Sequence, residues 1–277
     1  LKRRGAAKLM PPLSITDNKA RRGRCLLFAG SQQYPGAGIL AGRAALRMGS
    51  GYLMLAQKNI SVSPWDQPDF LFCDLASTDW RTLQFDAVLI GPGFGVNDFT
   101  AEILQELKDR NVQNVVVDAD ALTVCAQKNL FPLLPSWIAT PHAGELARCL
   151  DSTAAEIDKD RQGAAERAYE LFRCVVLLKG AGTLVRTHKS LFQIASGNEA
   201  LAKSGTGDVL AGMITALRAQ KLSPVKAALL GAYIHGATAN RWKAQGKDLL
   251  SMMASDVVEM LPETLSKIRE KNTGLIK

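Results

Sequence analysis

Four consecutive residues, Gly205-Thr206-Gly207-Asp208, stand where a polar loop gives way to an apolar helical stripe of Val209, Leu210, Met213, Ile214 and Leu217. The first N–H groups of a helix lack intrahelical partners, and the helix dipole puts positive charge at the same end, so an anion belongs here. Glycine at two of the four positions lets a phosphate come close without meeting a Cβ. Asp208 is a poor ligand for a phosphate. Its chemistry suits a base that accepts the proton of a hydroxyl attacking a terminal phosphate. Aspartate also caps helices, and on these four residues alone the two readings stand even.

Other segments offer parts of the same chemistry. Lys179-Gly180-Ala181-Gly182-Thr183 supplies backbone amides and a cation for a nucleotide, or a tight turn between two strands. Thr140-Pro141-His142-Ala143-Gly144-Glu145 supplies an extended Thr-Pro step, a histidine able to bond a substrate and a glutamate able to hold a hydrated magnesium ion. A structural histidine and a dipole-favoured glutamate are the plain alternatives. Gly30-Ser31-Gln32-Gln33-Tyr34-Pro35-Gly36-Ala37-Gly38 leads to a small-residue helix from Ala41 to Met48, and Gly91-Pro92-Gly93-Phe94-Gly95 permits close backbone approach to a ligand. The first loop fails the Gly-x-Gly-x-x-Gly spacing of a dinucleotide fold, which speaks against a nicotinamide dehydrogenase. His188 and His235 have no second ligand at metal spacing and read as structural.

These loops need a scaffold that brings them together. From about residue 24 onward, short apolar runs alternate with helix-like stretches, the pattern of βα units around a mostly parallel sheet. Five runs end in such loops: Cys25 to Ala29, Phe85 to Ile90, Val115 to Val117, Trp137 to Ala139 and Val175 to Leu178. Ligands of open α/β sheets bind outside the carboxyl ends of the strands, so parallel neighbours would gather the loops into one crevice. Thr183 to Arg186 and Leu191 to Ile194 read as a hairpin that makes one edge of the sheet mixed. Ser223-Pro224 starts a helix whose small face, including Ala228, Ala232, Gly236 and Ala237, lets it lie close to a neighbour.

Composition bounds the class. The chain has 277 residues, 47% hydrophobic and 22% charged, enough for one large α/β domain and unlike a disordered segment. No apolar run reaches the roughly 18 residues of a membrane helix, and a soluble, cytoplasmic protein is expected. Five widely spaced cysteines without a Cys-x-x-Cys pair read as reduced buried thiols. The net charge of +8 is concentrated at the start: residues 1–24 hold eight basic side chains against one acid, Asp17. Such an arm can bind nucleic acid, but residues 1–23 read here as a solvated tail or as a linker from an upstream domain.

In order, six segments resemble the ADP- or ATP-dependent NAD(P)H-hydrate dehydratases of the ribokinase-like superfamily: Gly30 to Gly51, Gly91 to Gly95, Val117 to Leu122, Thr140 to Glu145, Leu178 to Thr183, and Gly197-Asn198 through Gly207-Asp208 to Gly212. The resemblance implies a three-layer α/β/α sandwich around a mostly parallel sheet, with residues 24–277 as the dehydratase domain. It implies a hydro-lyase of metabolite repair, in which ADP or ATP, with Mg2+, phosphorylates the hydroxyl of hydrated NADH or NADPH and loss of phosphate restores the dihydronicotinamide. Asp208 then corresponds to the catalytic base and contacts substrate. Ala37, Gly93, Gly95 and His142 correspond to contacts of the hydrated dinucleotide. Lys179 to Thr183 and Gly207 correspond to contacts of the adenine nucleotide, beside Gly205 and Thr206 of the anion hole, and Glu145 to a glutamate associated with magnesium through water. A homo-oligomer, and an epimerase domain or protein acting upstream, are implied as well. Ala143 departs from a common proline, and Glu199-Ala200-Leu201 and Lys203-Ser204 replace the small residues usual before the anion hole.

Two rivals share some of these features. A ribokinase-like kinase acting on an alcohol such as a vitamin precursor would use the same anion hole but leave its product phosphorylated; His142 stands where such kinases carry asparagine. A non-catalytic nucleotide- or nucleic-acid-binding module would instead depend on the basic segment.

Overall fold

A computed structural model describes residues 1–59 and 66–273. Nine strands form one sheet: β1 (Arg24–Phe28), β2 (Tyr52–Gln57), β3 (Leu71–Asp74), β4 (Ala87–Ile90), β5 (Val115–Val117), β6 (Ile138–Ala139), β7 (Val175–Leu178), β8 (Leu184–Arg186) and β9 (Leu191–Gln193). Their order across the sheet is β3-β2-β1-β4-β5-β6-β7-β8-β9. The first seven run parallel, and β8 pairs antiparallel with both β7 and β9, which gives the mixed edge expected from the hairpin. β2 and β3 lie outside the five strands anticipated.

Strand residues point to alternate faces, and the burial follows that period of two. Leu27, Leu55, Leu89, Val116, Ile138 and Leu177 enter one core layer, and Leu26, Ala56, Val88, Val117, Ala139 and Leu178 enter the other. Helices α1 (Arg3–Leu9), α2 (Pro35–Arg47), α8 (Thr206–Ala219), α9 (Pro224–Ala244) and α10 (Ala254–Thr273) cover the first layer. Helices α3 (Asp98–Asp109), α4 (Asp120–Gln127), α5 (Ala143–Cys149), α6 (Ala154–Lys159) and α7 (Arg161–Phe172) cover the second. This is the three-layer ribokinase-like sandwich.

Missing side chains set the helix spacing. A Cβ on Gly212 of α8 would lie 2.0 Å from the Ala41 carbonyl oxygen of α2, and one on Gly236 of α9 would lie 2.5 Å from Ser196. Helix α2 starts earlier than Ala41, at Pro35, a residue suited to the first helical position. Gly38 therefore belongs to the helix, where its bareness lets the backbone pass 2.8 Å from the Ala29 carbonyl, measured from where its Cβ would be.

Helix α1 is seated on the body, whereas most of residues 11–22 are exposed, as in a solvated arm. Ala6 and Ala7 of α1 are buried in the first layer. Arg3 donates to the Lys267 carbonyl, and Arg269 donates to that of Pro11 at 2.8 Å. The basic side chains face outward and mask this short apolar stripe in the sequence. The five cysteines are free, four of them buried, as expected of reduced thiols.

Candidate active site

The parallel order reverses direction between β1 and β4, so the loops leaving these strands splay apart and open a crevice. Gly30 donates to the Pro92 carbonyl at 2.7 Å across it. A Cβ on Gly93 would lie 3.0 Å from that of Ala37 and 2.8 Å from that of Tyr34. Gly95 donates to Asp120 at 2.8 Å. Ala37, Gly93 and Gly95 thus form one patch at the switch point, outside the main cavity.

That cavity, of about 850 Å³, lies over the ends of β5 to β8 and the start of α8. It gathers His142, Glu145, the Lys179 to Thr183 loop and Gly205 to Asp208, segments scattered along the chain. Gly205 precedes α8 with φ +85°, a left-handed conformation that glycine adopts without strain and that turns the first N–H groups into the cavity. A Cβ on Gly205 would lie 2.6 Å from Leu40 of α2, one turn beyond Ala37, so the switch-point patch adjoins the anion hole.

Charge in the cavity is organised around Lys179. Its ammonium lies 2.7 Å from an Asp118 oxygen and 3.5 Å from a Glu145 oxygen, and 3.4 Å from where a Gly207 Cβ would be. Thr140 donates to Asp118 at 2.8 Å and holds the carboxylate in place. Burial opposes the charge on Lys179, but Asp118, Glu145 and Asp208 outweigh it and hold the ammonium above its usual range. Asp208 is pushed up to about 7, by burial first and then by Asp118, with Lys179 pulling the other way and Glu145 and Asp120 adding to the rise. Its carboxyl is therefore half charged near neutral pH and poised to take up or release a proton.

His142 caps α5. Its Nδ1 accepts from the backbone N–H of Gly144 and Glu145, and Glu145 reaches back to the His142 N–H at 2.7 Å, a reciprocal capping box. Nδ1 is thereby committed as an acceptor, and Nε2 of this half-exposed ring lies 3.3 Å from Glu145 Oε1. Both Glu145 oxygens are engaged, one by the His142 N–H and Lys179 and the other near His142 Nε2. This donor set fits a magnesium ion carried on nucleotide phosphates and reached through water, and no cluster of three metal-ligating side chains occurs among the described residues.

Three residues at the cavity carry no site role in the sequence reading, which takes His235 as structural. Asp118 was legible only as a polar residue at a strand end. Arg161, at the start of α7, donates to the carbonyls of Leu178 and Lys179 at 3.3 and 2.9 Å and braces the loop from below. His235 lines the cavity from α9. Ala119, between Asp118 and Asp120, has φ +48°, a strained setting for a residue with a side chain.

A three-layer α/β/α sandwich whose strand-end cavity takes in a glycine-led helix start with an aspartate in its first turn defines a ribokinase-like fold. The chain belongs to the NAD(P)H-hydrate dehydratase family, whose model matches residues 25–263. It is 34% identical over 281 residues to the bifunctional NAD(P)H-hydrate repair enzyme Nnr of Escherichia coli K12, covering 95% of this chain and 52% of that one. It is 32% identical to the ADP-dependent (S)-NAD(P)H-hydrate dehydratase of Xanthomonas campestris, covering 95% of each. The solved ADP/ATP-dependent NAD(P)H-hydrate dehydratase of Bacillus subtilis, co-crystallised with ATP and Mg2+, superposes with a TM-score of 0.83 at 30% identity, covering 96% of this chain and 97% of that one. The chain spans about half the length of the bifunctional curated relatives it matches.

Proposed function

We propose that this chain dehydrates hydrated NADH or NADPH at the expense of ADP or ATP. The observation that carries the reading is the place of Asp208, in the first turn of α8 and lining the cavity beside Lys179 and Gly205 to Gly207, where burial pushes its carboxyl up to about 7. The nucleotide's terminal phosphate rests on the N–H groups of Gly205 to Asp208, with its remaining length along Lys179 to Thr183. The hydrated nicotinamide ring lies against Ala37, Gly93 and Gly95, with His142 as a further contact.

Asp208 removes the proton from the ring hydroxyl as its oxygen bonds the terminal phosphorus and the bond to the leaving nucleotide breaks. The ring C–O bond then breaks, phosphate leaves with the electron pair, and loss of a proton from the adjacent carbon restores the ring double bond. Magnesium supplies charge neutralisation on the phosphates when bound. Glu145 and Asp118, which flank Lys179, would be the carboxylates to hold it.

Residues 24–277 make up the dehydratase domain in this reading, and the bifunctional relatives support an epimerase domain or protein acting upstream. A cytoplasmic homo-oligomer completes the proposal. Incubating the protein with hydrated NADH, magnesium and ADP or ATP tests it through the return of dihydronicotinamide absorbance. A nucleotide-dependent rise is expected. Stable phosphorylated product without absorbance would instead assign an alcohol kinase.

A further inference from the structure

Gly95 is held at both of its backbone polar groups. Its N–H donates to Asp120 of α4 at 2.8 Å, and its carbonyl accepts from the Thr100 hydroxyl of α3 at 2.7 Å. Thr100 is fully buried, and its own N–H donates to Asn97 at 3.0 Å, so this anchor is fixed in the core. Gly95 has φ +107°, a setting that glycine tolerates, and the two bonds hold it there. Its N–H is already given to the protein, so what a dinucleotide meets at Gly95 is a backbone surface whose place the two anchors set.

The other end of the loop packs on the same turn of chain. A Cβ on Gly91 would lie 1.8 Å from the Asp118 carbonyl oxygen and 2.8 Å from the Ala121 Cβ. The Gly91 to Gly95 loop therefore lies along Asp118 to Ala121, and Asp120 is the side chain that fastens its far end. Ala119, in the middle of this turn, has φ +48°, a region that a residue with a side chain enters only where its surroundings impose it. On either side of it the two carboxylates part, Asp118 to Lys179 at 2.7 Å and Asp120 to Gly95 at 2.8 Å. Burial pushes the Asp120 carboxyl up, and the Gly95 bond is the main influence pulling it back, with Asp118 adding to the rise and Arg148 opposing it.

We propose that Asp120 is a positioning residue for the hydrated dinucleotide, setting the place of the Gly91 to Gly95 loop through its bond to Gly95. This rests on the substrate reading given above and adds to it a residue that acts through the loop without touching the substrate. The task needs an acceptor and not a charge, so asparagine, of the same shape, can perform it with its amide oxygen.

Steady-state turnover by wild type, Asp120→Ser, Asp120→Asn and Thr100→Val, with hydrated NADH and ADP varied in turn, tests it. A serine hydroxyl is too short to reach Gly95. Asp120→Ser should therefore raise the KM for hydrated NADH about tenfold, the loss expected of one hydrogen bond, while the KM for ADP stays within about twofold. Asp120→Asn should return the KM for hydrated NADH to within about twofold of wild type. Thr100→Val, which frees the Gly95 carbonyl, should show the same split as Asp120→Ser and carries the test where that variant fails to fold. The Gly95 amide should be protected from hydrogen exchange in wild type and Asp120→Asn, and exchange about tenfold faster in Asp120→Ser. An unprotected Gly95 amide in wild type would overturn the contact. Equal rises in both KM values would overturn the positioning role, as would unchanged kinetics in folded Asp120→Ser. Asp120→Asn as impaired as Asp120→Ser would overturn it too, by assigning the carboxylate a charge-dependent part on the substrate itself. No turnover of hydrated NADH by wild type would overturn the substrate reading and the positioning role with it, a result distinct from these.

Discussion

Lys179 and Asp118, 61 residues apart in the chain, form a buried ion pair at 2.7 Å in the main cavity. Asp118 is 1% exposed. A charge so far from water persists only when paired, and breaking such a pair by removing one partner costs about 3–5 kcal/mol. Lys179→Met should therefore destabilise the fold by about that amount in urea unfolding and abolish ADP binding. Adding Asp118→Asn should restore much of the stability but none of the binding. Full stability in the single variant would show that the pair is not the cavity's electrostatic floor.

Glycines at two positions of α8 predict opposite outcomes. A side chain at Gly207 meets only the flexible end of Lys179, at 3.4 Å from the Cβ, so Gly207→Val should fold and lose nucleotide affinity by tenfold or more. A side chain at Gly212 meets the Ala41 carbonyl at 2.0 Å, so Gly212→Val should fail to fold. A folded Gly207→Val with unchanged ADP affinity would move the anion hole elsewhere.

The fold was legible where strand, loop and helix alternate with clear punctuation: five parallel strands, the hairpin edge and the helix after Gly207 all follow from local pattern. β3 went unread because its side chains are only partly buried at the sheet edge, and β2, though apolar and mostly buried, was passed over because no loop with candidate chemistry follows it. Helix α1 was hidden by its own outward basic residues. Within the cavity, Gly205 to Asp208 announces itself because backbone chemistry is written in glycine. Arg161 reaches the Lys179 loop from a helix through contacts that no spacing within its own segment encodes.

Arg161 should act on the nucleotide through the loop it braces. A Cβ on Gly180 would lie 3.0 Å from the guanidinium, so loop and side chain are in close contact. Arg161→Met should raise the KM for nucleotide several-fold while the KM for hydrated NADH stays near wild type. Added guanidinium ion should partly reverse the effect in Arg161→Ala. Equal rises in both constants would mean a general loss of structure instead.

The raised carboxyl of Asp208 predicts two pH dependences. A base works when deprotonated, so kcat/KM should climb as pH rises toward about 7 and level off above it. The folded state also holds this proton more tightly than an unfolded aspartate, whose ordinary value is 3.8, so native stability falls as pH rises from about 4 through about 7. Asp208→Asn removes that cost. Its Tm should match wild type near pH 4 and exceed it at pH 8, at roughly 2–4 °C per kcal/mol for a chain of this size. A difference independent of pH would contradict the shift.

Turnover of hydrated NADH by wild type and Asp208→Asn, with ADP affinity measured on the same preparations, bears most directly on the proposed mechanism. The isosteric amide cannot accept the hydroxyl proton, so turnover should fall by roughly 10² or more while ADP affinity stays within a few-fold. Persistent turnover in the folded variant would contradict Asp208 as the base.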